Sequence, residues 1–473
     1  MKLLHRLGVL ITALIFTNLP AFAASPDAPA IDGRHLDLRW ILPFAGILLS
    51  IAIMPLAAPH FWHRHFGKVS AAWALMVIVP FAILHGVPTA AYEIIHLLLL
   101  DYIPFIVLLL ALFTVTGGIH IRGNLHGSPS MNTALLAIGT VLAGWMGTTG
   151  ASMLLIRPML RANDDRRHKI HVFVFFIFLV SNIGGALTPL GDPPLFLGFL
   201  KGVSFFWPTT NLFSEMLVCA IALLAVFYAL DSYWYRKEGH LKRDPTPESP
   251  VRIEGGVNII LLMVVVGVVL ASGTWRPDVQ FAVFHVSLEL QNILRDLSLV
   301  VICVLSLKLT SRKIRSDNDF SWGPMLEVAK LFAGIFITIA PAIAILKAGS
   351  DGALAPLVAL VTDSGGQPND IWYFWLTGIL SSFLDNAPTY LVFFNLAGGD
   401  PQVLMGALAS TLAAISCGAV FMGANTYIGN APNFMVKAVV EDAGIRMPSF
   451  FGYMAWSGAI LIPLFVALTF LFF

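Results

Sequence analysis

Long apolar runs separated by short polar segments make up most of this chain of 473 residues. A membrane helix needs about 20 apolar residues to cross roughly 30 Å of hydrocarbon. Eight runs have that length and predict single spans at 40–58, 69–87, 102–119, 212–233, 257–273, 291–309, 326–346 and 450–472. Four other apolar regions do not fit an ordinary span. Two are interrupted (170–202 and 402–437), and two carry polar residues near their centres (131–161 and 370–397).

Composition supports a membrane protein. The chain is 57% hydrophobic and only 12% charged, too few charges to cover the surface of a soluble protein of this size. We therefore predict an all-α polytopic membrane protein. Its expected partners are the lipid bilayer and a small ion or small-molecule substrate, with no nucleic acid, and a homodimer is left open. No cofactor or resident metal is expected, because the three cysteines lie in apolar runs without zinc-site spacing.

The N-terminus has the pattern of a bacterial signal peptide. Lys2 and Arg6 precede an apolar stretch, and Ala21-Phe22-Ala23 matches a cleavage site. Residues 1–23 are therefore either a cleaved signal peptide or an uncleaved first helix. Both interpretations place residues 24–39 outside the cytoplasm and the protein in a bacterial cytoplasmic (inner) membrane.

The distribution of Lys and Arg predicts the orientation of the spans, because cytoplasmic loops are enriched in both. Of the 28 Lys and Arg, 18 lie in the segments 59–68, 120–130, 161–171, 234–256, 308–324 and 437–449, which we assign to the cytoplasm. The alternation of sides holds only if 131–161 and 370–397 each return to the side they entered from. Each is then predicted to be a re-entrant helical hairpin.

Two pairs of segments match when the chain is aligned with itself so that Gly184 falls on Met422. At this offset "GGALTPLGDPPLF" (184–196) falls on "MGANTYIGNAPNF" (422–434), with six identities. At the same offset "LAGWMGTTGASMLLIRPML" (142–160) falls on "LSSFLDNAPTYLVFFNLAG" (380–398), matched by position and polarity. The chain thus divides into two halves with the same order of elements.

Each half has five crossings, so the second half is predicted to be inverted relative to the first. The first repeat covers 40–233, a charged cytoplasmic linker covers 234–256, and the second repeat covers 257–473. Each repeat contains one hairpin and one discontinuous transmembrane helix. Inverted repeats with interrupted helices indicate a secondary transporter whose site lies near the membrane midplane.

The stretch "SNIGGALTPLGDPPLFLGF" (181–199) places glycines, prolines and polar residues inside an apolar region. A break at bilayer depth frees backbone groups that must be buried in protein or line a wet cavity, where they can hold an ion. Asn182, Thr188 and Asp192 lie in this break and are candidate ligands. A simple kink is the alternative.

Asp192 and Asp385 are the carboxylates placed at the interruptions. Carboxylates inside a membrane are costly and are functional by default, and burial favours the protonated form, which suits alternating proton and cation occupancy. We expect both to bind the transported cation, while helix capping is the structural alternative. Arg157 either balances these charges or extends toward the cytoplasm with Arg161.

The segments "GTTGASMLLIRPMLRAN" and "SNIGGALTPLGDPPLFLGF" resemble the ion transporter superfamily, most closely its NhaD-type sodium/proton antiporters and its citrate transporters of the CitMHS kind. The resemblance implies paired hairpins and unwound helices around substrate and sodium, with elevator-like movement of a transport domain. Neither hairpin tip carries the Ser-Asn-Thr signature of the dicarboxylate branch. By position, the resemblance implies ligands at Thr148, Thr149, Ser152, Asn182, Thr188, Asp192, Asp385, Asn386, Thr389, Asn425, Thr426 and Asn430.

The favoured function is a sodium (cation)/proton antiporter, transporting Na⁺ and H⁺. The alternative is a proton- or cation-coupled citrate or carboxylate carrier that uses half-helix N-termini, hydroxyl groups and Arg157. An enzyme is not expected, since no metalloprotease or serine-hydrolase motif occurs, and the chain has no phosphate-binding loop for ATP.

Overall fold

A computed structural model describes residues 31–123, 125–239, 250–363 and 365–473. The predicted signal peptide at 1–23 and residues 240–249 of the predicted linker lie outside this range. The described chain is mostly helical. It includes nine helices long and apolar enough to cross a membrane, at Leu38–Ala57, Pro59–His85, Val87–Thr116, Ile170–Leu187, Phe213–Glu238, Gly256–Thr274, Leu290–Leu309, Gly323–Lys347 and Phe450–Phe472.

The prediction of an all-α polytopic membrane protein is confirmed. Each of the eight predicted single spans overlaps one of the nine helices. Two of these helices begin well before the predicted start, at Pro59 and at Val87. Both starts have a proline in the first turn, where the missing N–H donor is not needed. A single turn of π-helix, Leu98–Tyr102, lies inside the second of these helices.

The two regions predicted as hairpins each form a pair of helices joined by a tight turn. In hairpin one, Pro129–Met146 and Thr148–Ala162 are joined at Gly147, whose φ of 84° favours glycine. In hairpin two, Asp370–Phe383 and Asn386–Leu396 are joined by two residues, the extended Leu384 and the helix-capping Asp385. The turns therefore fall within the segments that the sequence analysis singled out.

Both interrupted regions contain a real break in the helix. In break one, Ile170–Leu179 leads into a 3₁₀ turn at Ile183–Leu187, and the α-helix restarts as Pro193–Leu200. In break two, Ala409–Met422 leads into Gly423–Asn425, and the helix restarts as Ala431–Asp442. The backbone after the 3₁₀ turn is extended in both, with φ of −144° at Thr188 and −137° at Thr426.

The first broken helix lies at the centre of the molecule. The most apolar window of Ile170–Leu187 is 94% buried, whereas that of Pro59–His85 is only 22% buried. The central helix packs within the larger hydrophobic core, and the outer helices leave apolar faces exposed. This burial places break one inside protein, where its freed backbone groups find partners.

The remaining elements are short. The described residues form two antiparallel strand pairs, His120–Arg122 with Arg252–Glu254 and Gln280–Val283 with Val286–Glu289. The first pair joins a segment of the first half to the end of the predicted linker. The other helices and 3₁₀ turns are Gly33–His35, Trp207–Asn211, Arg312–Asp317, Gly349–Asp351, Ala355–Leu360 and Pro401–Met405.

Candidate functional site

The carboxylate of Asp192 is the point at which both hairpin tips and both breaks meet. Thr148 Oγ1 donates to Asp192 Oδ1 at 2.8 Å, and Asn430 Nδ2 donates to the same oxygen at 3.0 Å. Asn386 Nδ2 donates to Asp192 Oδ2 at 2.5 Å. Asp192 is only 1% exposed, and its three donors are buried as well. The hairpins and the breaks thus bring together four residues that the sequence analysis selected.

No basic side chain pairs with Asp192 among the hydrogen bonds and ion pairs of the described residues. Its partners are one hydroxyl and two amides, all neutral. Four helices begin around it, at Thr148, Pro193, Asn386 and Ala431, and each presents its partially positive N-terminus to this region. Helix N-termini and neutral donors therefore stabilise the carboxylate of Asp192. No positively charged side chain among the described residues neutralises it.

A chain of asparagines connects Asp192 with break two. Asn430 Nδ2 also lies 3.2 Å from Asn182 Oδ1, and Asn182 Nδ2 donates to Asn433 Oδ1 at 2.7 Å. Asn433 Nδ2 in turn donates to the backbone oxygens of Gly423 and Thr426, at 2.8 and 2.9 Å. The two breaks are therefore held together by side-chain amides, which satisfy carbonyl groups that a continuous helix would have paired.

Asn433 was missed by the sequence analysis. In the alignment of the two halves Asn433 corresponds to Leu195, which is apolar. The comparison between the halves therefore gave no matched polar pair at this position. A usable signal was its spacing, because Asn433 lies three residues after Asn430, the residue that precedes the restarted helix, and i, i+3 positions share a side.

The two breaks make equivalent contacts with their hairpins. Thr188 Oγ1 donates to the carbonyl oxygen of Gly144, and Thr426 Oγ1 donates to that of Ser382, both at 2.5 Å. When the two halves are aligned, Thr188 corresponds to Thr426 and Gly144 corresponds to Ser382. Each acceptor lies in the last turn of the first hairpin arm, where carbonyl groups lack partners within the helix. The threonine hydroxyl replaces that missing partner in both halves.

Close packing at the breaks explains two of the glycines. A Cβ on Gly185 would lie 2.7 Å from Thr148 Cγ2 and 2.9 Å from Asp192 Cβ. A Cβ on Gly191 would lie 2.2 Å from the carbonyl oxygen of Gly185. The backbone N–H of Thr148 also donates to Gly191 O at 2.8 Å, so the tip of hairpin one lies directly on the break.

Two buried amide oxygens, one at the tip of hairpin two and one in break two, have no hydrogen-bond partner within the described chain. One is Oδ1 of Asn386, whose Nδ2 group binds Asp192. The other is Oδ1 of Asn425, whose Nδ2 group donates to Ser382 Oγ at 2.9 Å. An unpaired buried acceptor is costly, so each oxygen is a candidate ligand for a cation.

The other predicted site residues are placed differently. Asp385 is half-buried and caps its own helix, accepting from the backbone N–H of Ala387 at 3.1 Å. Thr389 donates to the backbone oxygen of Asp385 at 2.9 Å, which is also a local contact. Ser152 lies 2.8 Å from Ser181 and braces hairpin one against the start of break one. Thr149 is half-buried, and no hydrogen bond of its side chain occurs among the described residues.

Arg157 does not approach the Asp192 carboxylate. Its Nη2 lies 2.6 Å from Asp319 Oδ2, in the loop after Arg312–Asp317. Arg161, one turn further along the arm, donates to the backbone oxygen of Ile121 at 2.6 Å. Both arginines thus contact segments predicted to be cytoplasmic, in keeping with the alternative that they extend toward that side.

The described residues contain no group of three or more His, Cys, Asp or Glu that could hold a metal ion. A cation at Asp192 would therefore take its remaining ligands from amide, hydroxyl and backbone oxygens.

Comparison with known proteins identifies the family. The sequence profile described as "Putative citrate transport" matches residues 33–473. The chain belongs to this family. The expected resemblance to the ion transporter superfamily is thereby confirmed, and the protein is a multi-pass membrane transporter of this general type.

Three bacterial proteins illustrate what this chain is similar to. An uncharacterized transporter of Mycobacterium tuberculosis is 26% identical over 352 residues, covering 73% of this chain and 76% of that protein. A 46 kDa membrane protein of Mycobacterium leprae is 26% identical over 331 residues, covering 67% of this chain and 71% of that protein. The Na⁺/H⁺ antiporter NhaD of Halomonas elongata is 27% identical over 190 residues, covering 37% of this chain and 38% of that protein.

Proposed function

We propose that the protein is a secondary active antiporter that exchanges a monovalent cation, with Na⁺ as the favoured one, for protons. The observation that carries this proposal is the buried Asp192 carboxylate, which lacks a basic partner among the described residues. A buried charge of this kind is stable only when a proton or a cation neutralises it. If the two compete for one carboxylate, binding of either releases the other, which is the chemical requirement of exchange.

The oxygen atoms around Asp192 suit a hard cation. The unpaired Oδ1 atom of Asn386, beside Asp192, supplies one acceptor, and that of Asn425 in break two supplies another. Unwound backbone and half-helix ends are the usual source of Na⁺ ligands in secondary transporters. Thr148 and Asn430, which now donate to Asp192, would then orient the carboxylate toward the cation.

The architecture proposed for transport is a pair of inverted repeats that alternate access to this site. The equivalent bonds Thr188–Gly144 and Thr426–Ser382 support a common origin of the two halves. In this scheme the hairpins are re-entrant, one from each side of the membrane, and their tips close the site near the midplane. The loop at 235–256 is then cytoplasmic and the segment at 274–291 is external.

A citrate or other carboxylate carrier is the second candidate. It is favoured by the family description and by the four helix N-termini that converge on the site, since such ends attract anions. In that case Asp192 would hold the coupling cation, and the substrate anion would bind beside it. Arg157 would not contribute, because its partner is Asp319.

Flux measurements in proteoliposomes separate these candidates. Purified protein is reconstituted with an internal pH dye, and Na⁺, Li⁺, K⁺ or citrate is added against an imposed pH gradient. The antiporter dissipates the gradient on addition of Na⁺ or Li⁺ without citrate. Citrate uptake that needs Na⁺ or a proton gradient, with no cation-driven proton movement in its absence, would establish the carrier instead.

A further inference from the structure

A large cavity lies beyond the C-terminal end of the short helix that Asp192 precedes. Pro193–Leu200 has eight residues, about 12 Å at 1.5 Å per residue, and its last turn and Lys201 line this cavity. The volume is about 1220 Å³, above the roughly 300–1,000 Å³ of typical ligand pockets. None of the residues that hold Asp192 lines it, so it is separate from the ion site.

The walls of the cavity come from distant parts of the chain. They include the π-helical turn Leu98–Tyr102, residues 199–204, the strand pair within 280–289, the start of Leu290–Leu309, and Pro401–Met405. Because the predicted external segment 274–291 contributes to these walls, the cavity opens at the predicted external face.

Two buried polar side chains in the cavity wall have unused hydrogen-bonding atoms. Arg295 is 3% exposed; its Nε donates to Asp296 at 2.8 Å and its Nη1 to Asn292 at 3.0 Å, while Nη2 has no partner in the described part of the chain. Gln291 is 6% exposed, and its Oε1 is likewise without a partner. These two residues are four apart on one helix and therefore share a face.

Two ion pairs, Lys201–Asp101 and Arg295–Asp296, leave Arg276 and Glu289 as the charged lining side chains without an ion pair among the described residues. Lys201 is paired with Asp101 at 2.6 Å, and Glu289 accepts from the amides of Gln291 and Asn292. Arg276 lines the cavity, is exposed, and has no ion pair among the described residues. Arg276 and Nη2 of Arg295 are thus the donors left to bind an anionic group, and a guanidinium suits carboxylate or phosphate oxygens.

Most of the other lining side chains are apolar. They come from separate parts of the chain and include Leu99, Ile103, Phe199, Val203, Phe281 and Met405. A small hydrophilic anion would leave this surface in contact with water, whereas an alkyl chain would cover it and gain free energy from the burial. The cavity therefore combines two guanidinium groups with a wall in which apolar side chains predominate.

We propose that this cavity binds an amphiphilic anion, with a carboxylate or phosphate head group at Arg276 and Arg295 and an alkyl chain against the apolar wall. This chemistry is shared by free fatty acids and by anionic phospholipids. The proposal is independent of the transported ion, because its site and its ligand are distinct from those at Asp192.

Binding is tested by native mass spectrometry of the full-length protein released from a neutral detergent. Dodecanoate and phosphatidylglycerol are the two anionic probes, and dodecanol and phosphatidylcholine are their counterparts without net charge. We expect at least one anionic probe to give a saturable complex of one ligand per chain, at least tenfold tighter than its counterpart. Tighter dodecanoate binding identifies a free acid as the ligand type, and tighter phosphatidylglycerol binding identifies a membrane lipid.

Variants of the cavity arginines test whether the anionic probe binds inside this cavity. Arg276→Gln changes an exposed side chain, so the fold is retained, and we expect at least a tenfold loss of affinity for the anionic probe. Arg295→Lys keeps the charge but removes the forked donor group, and we expect a smaller loss. Arg39→Gln is the matched control, since Arg39 is an exposed arginine predicted to lie on the same face outside the cavity.

A dodecanoate carrying a diazirine provides a second measurement, and its label should map to peptides within 196–205 and 280–297. Equal binding of the charged and uncharged probes would overturn the proposal. So would unchanged anion affinity in Arg276→Gln, or labelling confined to the outer lipid-facing helices.

Discussion

Asn386, at the tip of hairpin two, donates a hydrogen bond to the carboxylate of Asp192, which lies 194 residues earlier in the chain. The bond joins the two halves of the protein at a position that is only 1% exposed. Thr148, at the tip of hairpin one, binds the other oxygen of the same carboxylate. The Asp192 side chain therefore contacts the tips of both hairpins. Its mutation is the most direct test of the site.

The two acidic residues of the breaks and tips are expected to differ in importance. Asp192→Asn removes the charge and its titration, so we expect Na⁺-dependent proton flux in everted vesicles to be lost while the melting temperature stays near that of the wild type. Asp385→Asn keeps a good helix cap, because Asn and Asp cap helices about equally well. We expect this variant to retain most of the flux. Equal loss of flux in both variants would show that Asp385 also carries the coupling.

A charge-exchange variant tests whether the carboxylate can be moved within the site. Asn430 is the counterpart of Asp192 in the second half, and the two side chains lie 3.0 Å apart. In Asp192→Asn/Asn430→Asp the negative charge returns on the opposite break. We expect at most partial recovery of proton flux relative to Asp192→Asn alone, because the charge is restored within the same site but at position 430 it faces two acceptors, Ser181 O and Asn182 Oδ1. Flux at the level of Asp192→Asn would mean that the coupling needs the Asp192 geometry itself.

The threonines that link each break to its hairpin should contribute similarly to stability. Thr188→Val and Thr426→Val keep the side-chain volume but leave a buried carbonyl oxygen without a donor. Each should lower stability by about 1–3 kcal/mol. Thermal unfolding in detergent measures the effect, and Thr210→Val serves as the control because Thr210 is exposed. A large effect in one half only would argue against equivalent roles of the two bonds.

A methyl group at Gly185 should disturb the site directly. In Gly185→Ala the new Cβ would lie 2.9 Å from Asp192 Cβ and 2.7 Å from Thr148 Cγ2, so these side chains must move. We expect transport to fall at least tenfold. The control is Gly267→Ala, where a Cβ meets nothing within 4 Å and a helical alanine stabilises by about 1 kcal/mol. Flux should be normal in the control, and normal flux in Gly185→Ala would contradict the proposed position of the site.

The ion pair between Arg157 and Asp319 predicts the outcome of charge removal in hairpin one. Asp319 is 73% exposed, so the pair should contribute less than about 1 kcal/mol to stability. We expect Arg157→Gln and Asp319→Asn to leave the apparent substrate affinity within twofold of the wild type, and the double variant to resemble either single one. Loss of citrate uptake in Arg157→Gln alone would instead make Arg157 a substrate ligand.

Much of the architecture could be predicted from the sequence, because membrane helices are specified locally. A run of about 20 apolar residues satisfies its own backbone hydrogen bonds in lipid, so length and composition place a span without knowledge of its neighbours. Gly, Pro and Asn mark the interruptions for an equally local reason. The match between the two halves pointed to Thr188 and Thr426, which make equivalent bonds.

Only the tertiary structure decided which polar residues meet. Asp192 and Asp385 were equivalent candidates in the sequence, yet one is surrounded by donors from both hairpin tips and the opposite break, and the other caps its own helix. The sequence also did not predict the hydrogen bond between Asn182 and Asn433 or the ion pair between Arg157 and Asp319. A hydrogen bond depends on distances of a few tenths of an ångström between segments far apart in the chain, and that geometry is set by how the helices pack.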